Sequence, residues 1–471
     1  MLLRNHQGGH MNEEIDIVSH IETLLNEELW GQAASELSKL QSADIAEILN
    51  RYDIEIQILL FNDLPDDIKP DVMADLSPEF VEAISEALPS GEVSDIVDEM
   101  DPDDAADVLG GLDKETSSQI IEQMDDEAAD EVRMLMTYPE DSAGGIMTTD
   151  LITMKQSQTV LEALDTIASN ENGEHIYQIY VIDEEEKLVG IVSIWKLLHQ
   201  RNRTVSLGEI MDTETFAVRT DMDQEEVAHA MSKYDLSVIP VVDASGVLLG
   251  RITHDDVIEV IQEEAEEDIF MMAGSDDKEL GNVSSIKSCA IRLPWLSITL
   301  IGGFITTALV NLFSKHFSTL ILLVAFIPNV MAMGGNTGLQ SSVLLVRELA
   351  SGSARRHSLG QLFFHELRTG ALMGLLCGVG IFIWTIVMLE FSPPPETLAC
   401  SPWYLALVVG LALFAAMGFA AGFGAIIPIM LERCHIDPAV ASGPFITVIN
   451  DIAALLIYYA ITAVLILPNL S

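Results

Sequence analysis

The sequence predicts a multidomain membrane protein: an α-helical superhelical N-terminal domain, an α+β tandem pair, an acidic connecting helix and an all-α transmembrane domain of five helices. Three observations carry this reading: a sharp division of charge along the chain, an internal repeat offset by 64 residues, and five long apolar stretches after residue 292.

The charge division comes first. The chain has 471 residues and a net charge of −50, yet residues 1–282 hold 66 acidic and 15 basic side chains, whereas residues 283–471 hold 7 and 8. Such an acidic half argues against nucleic acid as a partner, because phosphate contact requires Lys and Arg. It favours cations or basic partners, although a merely solvated acidic surface has the same composition. Cys289, Cys377, Cys400 and Cys434 show no C-x-x-C spacing, which argues against a zinc or redox site. Residues 1–20 lack a continuous apolar stretch, so the amino terminus is expected to stay in the cytoplasm.

Residues 1–140 read as an acidic helical domain. Leu64-Pro65-Asp66-Asp67, Ser77-Pro78-Glu79 and Asp101-Pro102-Asp103-Asp104 each place a cap, a proline and first-turn acids before an amphipathic run. Negative charge at the positive end of a helix dipole is favourable there. The starts recur about every 12–13 residues, which suggests a small helical superhelix.

Residues 141–255 contain the repeat, with copies over about 141–203 and 204–255. Gly145-Ile146-Met147 and Glu209-Ile210-Met211 open matching units, each running through a helix (around 159–169 and 223–234) to two apolar strands. Ile179–Asp183 matches Ile239–Asp243, and Lys187–Val192 matches Val247–Ile252. Residues 256–282 then form an acidic connecting helix and linker. Asp256, Glu259, Glu263, Glu264, Glu267 and Asp268 recur at three- and four-residue steps, so several like charges share a face and repel. A divalent cation would offset that repulsion; a solvated linker helix is the plainer alternative.

The transmembrane domain is placed at 283–471. Apolar stretches over approximately 293–313, 318–346, 362–389, 402–430 and 440–467 can each cross a hydrocarbon layer of roughly 30 Å. Lys287, Arg292, Arg347, Arg355, Arg356, Arg368 and Arg433 fall on one side of this arrangement and Lys315 on the other. The acidic half is therefore expected in the cytoplasm and the carboxyl terminus outside. The second stretch carries Pro328, Asn329 and the run Gly334-Gly335-Asn336-Thr337-Gly338-Leu339-Gln340. Its amides either line a polar pathway or hold helices together. The fifth carries Asn450 and Asp451 inside an apolar span, with Asp437 near its cytoplasmic end. A carboxylate at mid-membrane costs about 2.5–3.5 kcal/mol on insertion scales, so it marks an ion or proton route unless it is neutral and bonded to a neighbour. Asp437 is either part of that route or a helix cap. Carboxylate and amide oxygens suit hard cations, and a site with few carboxylates suits Mg2+, which releases its water reluctantly.

The strand-turn-strand-helix repeat resembles a pair of CBS modules (cystathionine-β-synthase-type repeats), which commonly bind adenine nucleotides such as ATP or regulate an attached domain. The whole order of domains resembles the MgtE family of bacterial magnesium channels. The marks are Gly334–Gln340, the segment Asp437-Pro438-Ala439 to Asp451, and Asp221-Met222-Asp223-Gln224-Glu225-Glu226-Val227. The resemblance implies a homodimer in the plasma (inner) membrane, with Asp451 as the central ion-binding residue and Asn450, Asp437, Asn336 and Asn329 along the pore. It also implies cytoplasmic Mg2+ sensing by Asp71, Asp103, Asp107, Gly145, Glu225, Asp235, Asp256, Glu259, Glu264, Glu267 and Asp268, with the connecting helix acting as a plug. A cation-coupled carrier of Mg2+ or another divalent ion, and a membrane-anchored CBS nucleotide sensor, are the alternatives. No enzyme is expected: no P-loop, nucleophile elbow, zinc motif or Ser/His/Asp grouping occurs.

Overall fold

Regular element starts at residues 30, 42, 54, 66, 78, 90, 102, 114 and 126 give the helical region a constant step of twelve in the computed structural model of the chain. The structure describes residues 20–21, 23–25, 27, 29–169, 176–276, 279, 284–314, 321–350, 359–391, 401–434, 436–441 and 443–466. Residues 1–19, Lys315, Arg355, Arg356 and Cys400, on which parts of the topology and cysteine readings rest, lie outside the described residues. The chain forms two compact units, Met1–Ile261 and Gln262–Ser471.

In the first unit the helices are α1 (Trp30–Leu37), α2 (Ser42–Leu49), α3 (Ile54–Asn62), α4 (Lys69–Ala74), α5 (Pro78–Ala87), α6 (Ser90–Val97), α7 (Pro102–Gly110), α8 (Lys114–Ile121) and α9 (Asp126–Leu135). Helices two apart in sequence pack on each other at α1–α3, α2–α4, α3–α5, α4–α6, α6–α8 and α7–α9, and α4 also packs on α7. That is the stacking of a superhelix. Pro78 and Pro102 sit in the first turn of α5 and α7, with Ser77 and Asp101 as N-caps. Pro65 instead precedes a short 3-10 turn, Asp66–Ile68.

The repeat builds two three-stranded sheets. The first contains β1 (Thr153–Lys155), β2 (Gln178–Ile182) and β3 (Leu188–Ser193), with α10 (Val160–Ser169), α11 (Ile194–His199) and α12 (Leu207–Ile210) nearby in sequence. The second contains β4 (Val218–Arg219), β5 (Val238–Val242) and β6 (Leu248–Thr253), with α13 (Gln224–Tyr234) between β4 and β5. In both, the first pair is parallel and the second antiparallel. The two hairpin turns bond to each other reciprocally: Leu188 N–H donates to Gly246 O and Leu248 N–H to Glu186 O, each at 3.1 Å. One continuous core joins the helical region to the second module through Phe61, Leu109, Met147, Val227, Ile239 and Val257. The first module has its own core around Ile179, Val181 and Val192.

Helix α14 (His254–Ala273) follows β6 and passes from the first unit into the second. It ends in a Schellman motif: Ser275 N–H donates to Phe270 O (2.9 Å) and Gly274 N–H to Met271 O (3.1 Å), with Gly274 at φ +73°. Only glycine takes that φ without strain.

The second unit holds α15 (Ser285–Ser314), the single turn α16 (Ile321–Val324), α17 (Ile327–Ala350), α18 (Leu359–Phe391), α19 (Pro402–Arg433) and α20 (Pro444–Ile466). Among the described residues four helices are long and apolar enough to cross a membrane: α15, α18, α19 and α20. The expected second span over 318–346 differs. The chain breaks after α16 at residues 325–326, and α17 starts at Ile327 with Pro328 in its first turn. Proline is tolerated there because that N–H has no helical partner. The amides and glycines of α17 keep it below the apolarity of the others. The fifth element likewise starts later than expected: Pro438–Ala441 is a 3-10 turn and α20 begins at Pro444.

Glycines set the helix spacing in this unit. Cβ atoms placed on Gly374 and Gly378 would lie 2.9 Å from Phe414 O and 2.8 Å from Gly410 O, so α18 and α19 meet backbone to backbone. Gly338 of α17 faces Ala420 O, at 3.2 Å from its would-be Cβ, and lies against the amide of Asn450. Gly338→Ala is expected to destabilise the bundle by about 1–3 kcal/mol, the usual range for overpacking a close-packed site. Thermal unfolding of the detergent-solubilised protein would measure it, with the exposed Gly380→Ala, which meets nothing within 4 Å, as the neutral comparison.

Candidate functional site

The membrane carboxylate is set by α17 and α20. Asp451 lies two turns into α20, half-buried, and its Oδ1 would be 2.8 Å from a Cβ on Gly335 of α17. The neighbouring Asn450 points elsewhere. It is 0 % exposed, against Gly338, and among the described residues neither its Oδ1 nor its Nδ2 has a hydrogen-bond partner. Asn329 and Asn336 are exposed, two turns apart on one face of α17, with Gln340 one turn further on the same face. Helix α17 thus carries an outward stripe of amides, which hydrocarbon would solvate poorly. The structure therefore groups Asp451 with Gly335 and encloses Asn450 within the bundle.

Asp437 is exposed, and its Oδ1 accepts from Ala439 N–H at 2.8 Å, opening the 3-10 turn. It also lies near Asp268 of α14. Burial, and then the charges of Asp437 and Glu264, push the Asp268 carboxyl up to about 6. The family resemblance implies a pore role for Asp437 and a sensing role for Asp268; the fold brings the two near each other.

A second acidic grouping lies in the first unit, where α7 meets the start of α14. Asp103 and Asp107 come from α7, Asp71 from α4, and Asp256 and Glu259 from α14. Burial and then the charges of Asp104 and Asp256 hold the Asp103 carboxyl well above its ordinary range. Its Oδ1 is enclosed and, among the described residues, has no hydrogen-bond partner. Asp104 is pushed up to about 7 by burial, then by Asp101, Asp107, Glu259 and Asp256. Asp101 is raised by burial and by Asp150, an effect Arg251 opposes. Sequence pattern does not single out Asp101 and Asp104. Their signal is the run Asp101-Pro102-Asp103-Asp104 itself, which reads equally well as a cap and a dipole partner. Asp256 has that second task too. Its Oδ2 accepts from Thr253 N–H (2.8 Å) and Thr253 Oγ1 (2.9 Å) at the start of α14, a capping-box arrangement.

The remaining candidates are dispersed. Glu225 and Asp235 stand at opposite ends of the eleven-residue α13, roughly 15 Å apart at ~1.5 Å per residue. Asp235 occupies a left-handed C-cap at φ +53°. Gly145 is buried in a turn where a Cβ would meet Glu140 O at 2.7 Å. Glu264 and Glu267 lie on the second half of α14. Among the described residues no three His, Cys, Asp or Glu side chains converge as ligands of one ion. The donor chemistry fits a hard cation all the same: crowded carboxylates, one with an enclosed and unpartnered oxygen, would be relieved by a divalent ion.

The fold and these groupings define a multi-pass membrane protein with an acidic regulatory region. The model of the MgtE intracellular N domain matches residues 40–141, that of the CBS domain residues 143–202 and 207–263, and that of the MgtE divalent cation transporter residues 327–461. The magnesium transporter MgtE of Bacillus subtilis (strain 168) is 33% identical over 447 residues, covering 95% of this chain and 96% of the relative. That of Thermus thermophilus is 35% identical over 341 residues, covering 71% of this chain and 72% of the relative. A solved cytosolic domain of the Mg2+ channel MgtE in complex with ATP is 32% identical, with a TM-score of 0.49, covering 52% of this chain and 99% of that one. The chain belongs to the MgtE family, a family of transporters rather than enzymes.

Proposed function

We propose that the chain is a magnesium-selective channel for Mg2+ influx, gated by cytoplasmic Mg2+. The observation that carries the conducting part is Asp451, a membrane carboxylate beside Gly335 on a helix whose Asn329, Asn336 and Gln340 form an exposed stripe. A homodimer would turn two such stripes toward a common axis and set two Asp451 carboxylates across it. Together they would balance one divalent charge while leaving the ion most of its water, as Mg2+ prefers. The charge asymmetry of the loops supports an amino terminus in the cytoplasm and a carboxyl terminus outside.

The sensing part rests on the crowding of Asp103, Asp104, Asp107, Asp256 and Glu259. Without a cation the like charges oppose the packing of α7 against the start of α14. With Mg2+ bound they tolerate it, and α14 is held as a plug. An ion shifts such an equilibrium only through its higher affinity for the packed state. The CBS pair would take an adenine nucleotide, as such pairs commonly do. Ion flux into proteoliposomes tests the conducting part, comparing Mg2+, Ca2+ and Co2+ for wild type and Asp451→Ala. Mg2+ flux that needs no counter-ion gradient and is lost in the variant is expected. Flux that survives in Asp451→Ala, or that requires an opposing ion gradient, overturns the channel reading.

A further inference from the structure

Among the described residues of the acidic first unit two basic side chains are buried, and one of them pairs with a carboxylate across the module junction. Arg251 lies on β6, is 8 % exposed, and its Nη2 is 3.3 Å from Asp150 Oδ2. A second buried cation in this unit, Lys69, pairs at 2.7 Å with Asp66, whose side chain is open to solvent. A buried guanidinium is retained only where anions pair with it, since desolvating an ion costs several kcal/mol. The backbone fixes its position. Arg251 N–H donates to Thr148 O and Thr148 N–H to Arg251 O, both at 2.9 Å, joining the entry to the first module onto the second. Asp150 is two residues beyond Thr148, so the pair is held across the module junction. Its field reaches Asp101 at the start of α7, where Arg251 and Asp150 act with opposite sign.

We infer that Arg251 is a tethered internal cation of the acidic interface, a positioning residue that sets how many external cations the interface takes up when it packs. This rests on the cation-sensing reading above. A fixed positive charge near carboxylates does part of what a divalent ion would do. It lowers the repulsion that must be relieved and weakens the pull on incoming Mg2+. Removing it leaves the packed state more dependent on Mg2+. Removing its partner Asp150 has the reverse effect, and removing both leaves the net charge unchanged.

The test is amide hydrogen exchange of α7 in the full-length protein, titrated with MgCl2. Wild type is expected to gain protection with Mg2+. Arg251→Gln should lose protection severalfold at zero Mg2+ and rise more steeply with concentration. Asp150→Asn should start more protected and rise less steeply, and the charge-balanced double variant should return toward wild type. Arg251→Lys, which keeps the charge, should follow wild type. If it follows Arg251→Gln instead, the residue acts by shape and the inference is overturned, as it is if the double variant fails to return. A wild-type protein without Mg2+-dependent protection overturns the sensing reading itself. An intact wild-type response with an unchanged slope in Arg251→Gln overturns only the role given to Arg251.

Discussion

Gly335→Ala is expected to cut Mg2+ flux at least about tenfold, equivalent to ~1.4 kcal/mol at the proposed Asp451 site, while leaving the bundle folded. The added Cβ would lie 2.8 Å from Asp451 Oδ1 but 3.4 Å from the next atom, Thr447 Cγ2. The methyl group therefore meets the carboxylate before anything else. Asp451 must swing aside, and a displaced charge loses its hold on a hydrated ion steeply with distance. Gly338→Ala, one turn away, instead meets an enclosed amide and a backbone carbonyl, so its effect should fall on stability. Radiotracer-free flux with a Mg2+ dye, together with melting temperatures, separates the two. Gly335→Ala with full flux would show that Asp451 need not face α17 to conduct.

Much of this architecture is legible in sequence because it is written in short-range pattern. The matched strands differ from β2, β3, β5 and β6 by single residues at their ends, since alternation and turn residues act locally. The twelve-residue helical step is local as well. Which acids meet is not legible in that way. Asp101 and Asp104 are indistinguishable from helix-start residues until α7 is packed beside α14. Asp268 and Asp437 are far apart in the chain, and only the fold places them within each other's field. Asn450 shows the converse. Adjacent to Asp451 in sequence, it is turned by the helix to a different face and enclosed. The start of α17 is obscured because Pro328 can interrupt a helix or open one, and the apolar residues before it fit both.

Lowering the pH from 8 to 6 without divalent cations is expected to protect the amides of α7 and the start of α14 severalfold. The folded-state carboxyls of Asp104, at about 7, and Asp103, also raised, lie above the ordinary value of 3.8. The packed state therefore binds more protons than the open one between about pH 4 and 7. For a raised acid the contribution to stability is complete below the unfolded value and is lost as pH rises through the folded one. Packing should thus weaken from pH 6 to 8. Asp104 keeps contact with solvent, so screening by water holds the effect of the pH change below about tenfold. Protons and Mg2+ relieve the same repulsion, so millimolar MgCl2 should flatten the pH dependence. Asp104→Asn, which removes one of the raised carboxyls and leaves Asp103, should show a shallower pH dependence without it and need less Mg2+ to pack. Hydrogen exchange of the full-length protein at the two pH values, corrected for intrinsic exchange rates, measures this directly. Equal protection at pH 6 and 8 in metal-free wild type would mean that these carboxyls do not oppose the packing of α7, and the charge-crowding account of gating would fall with it.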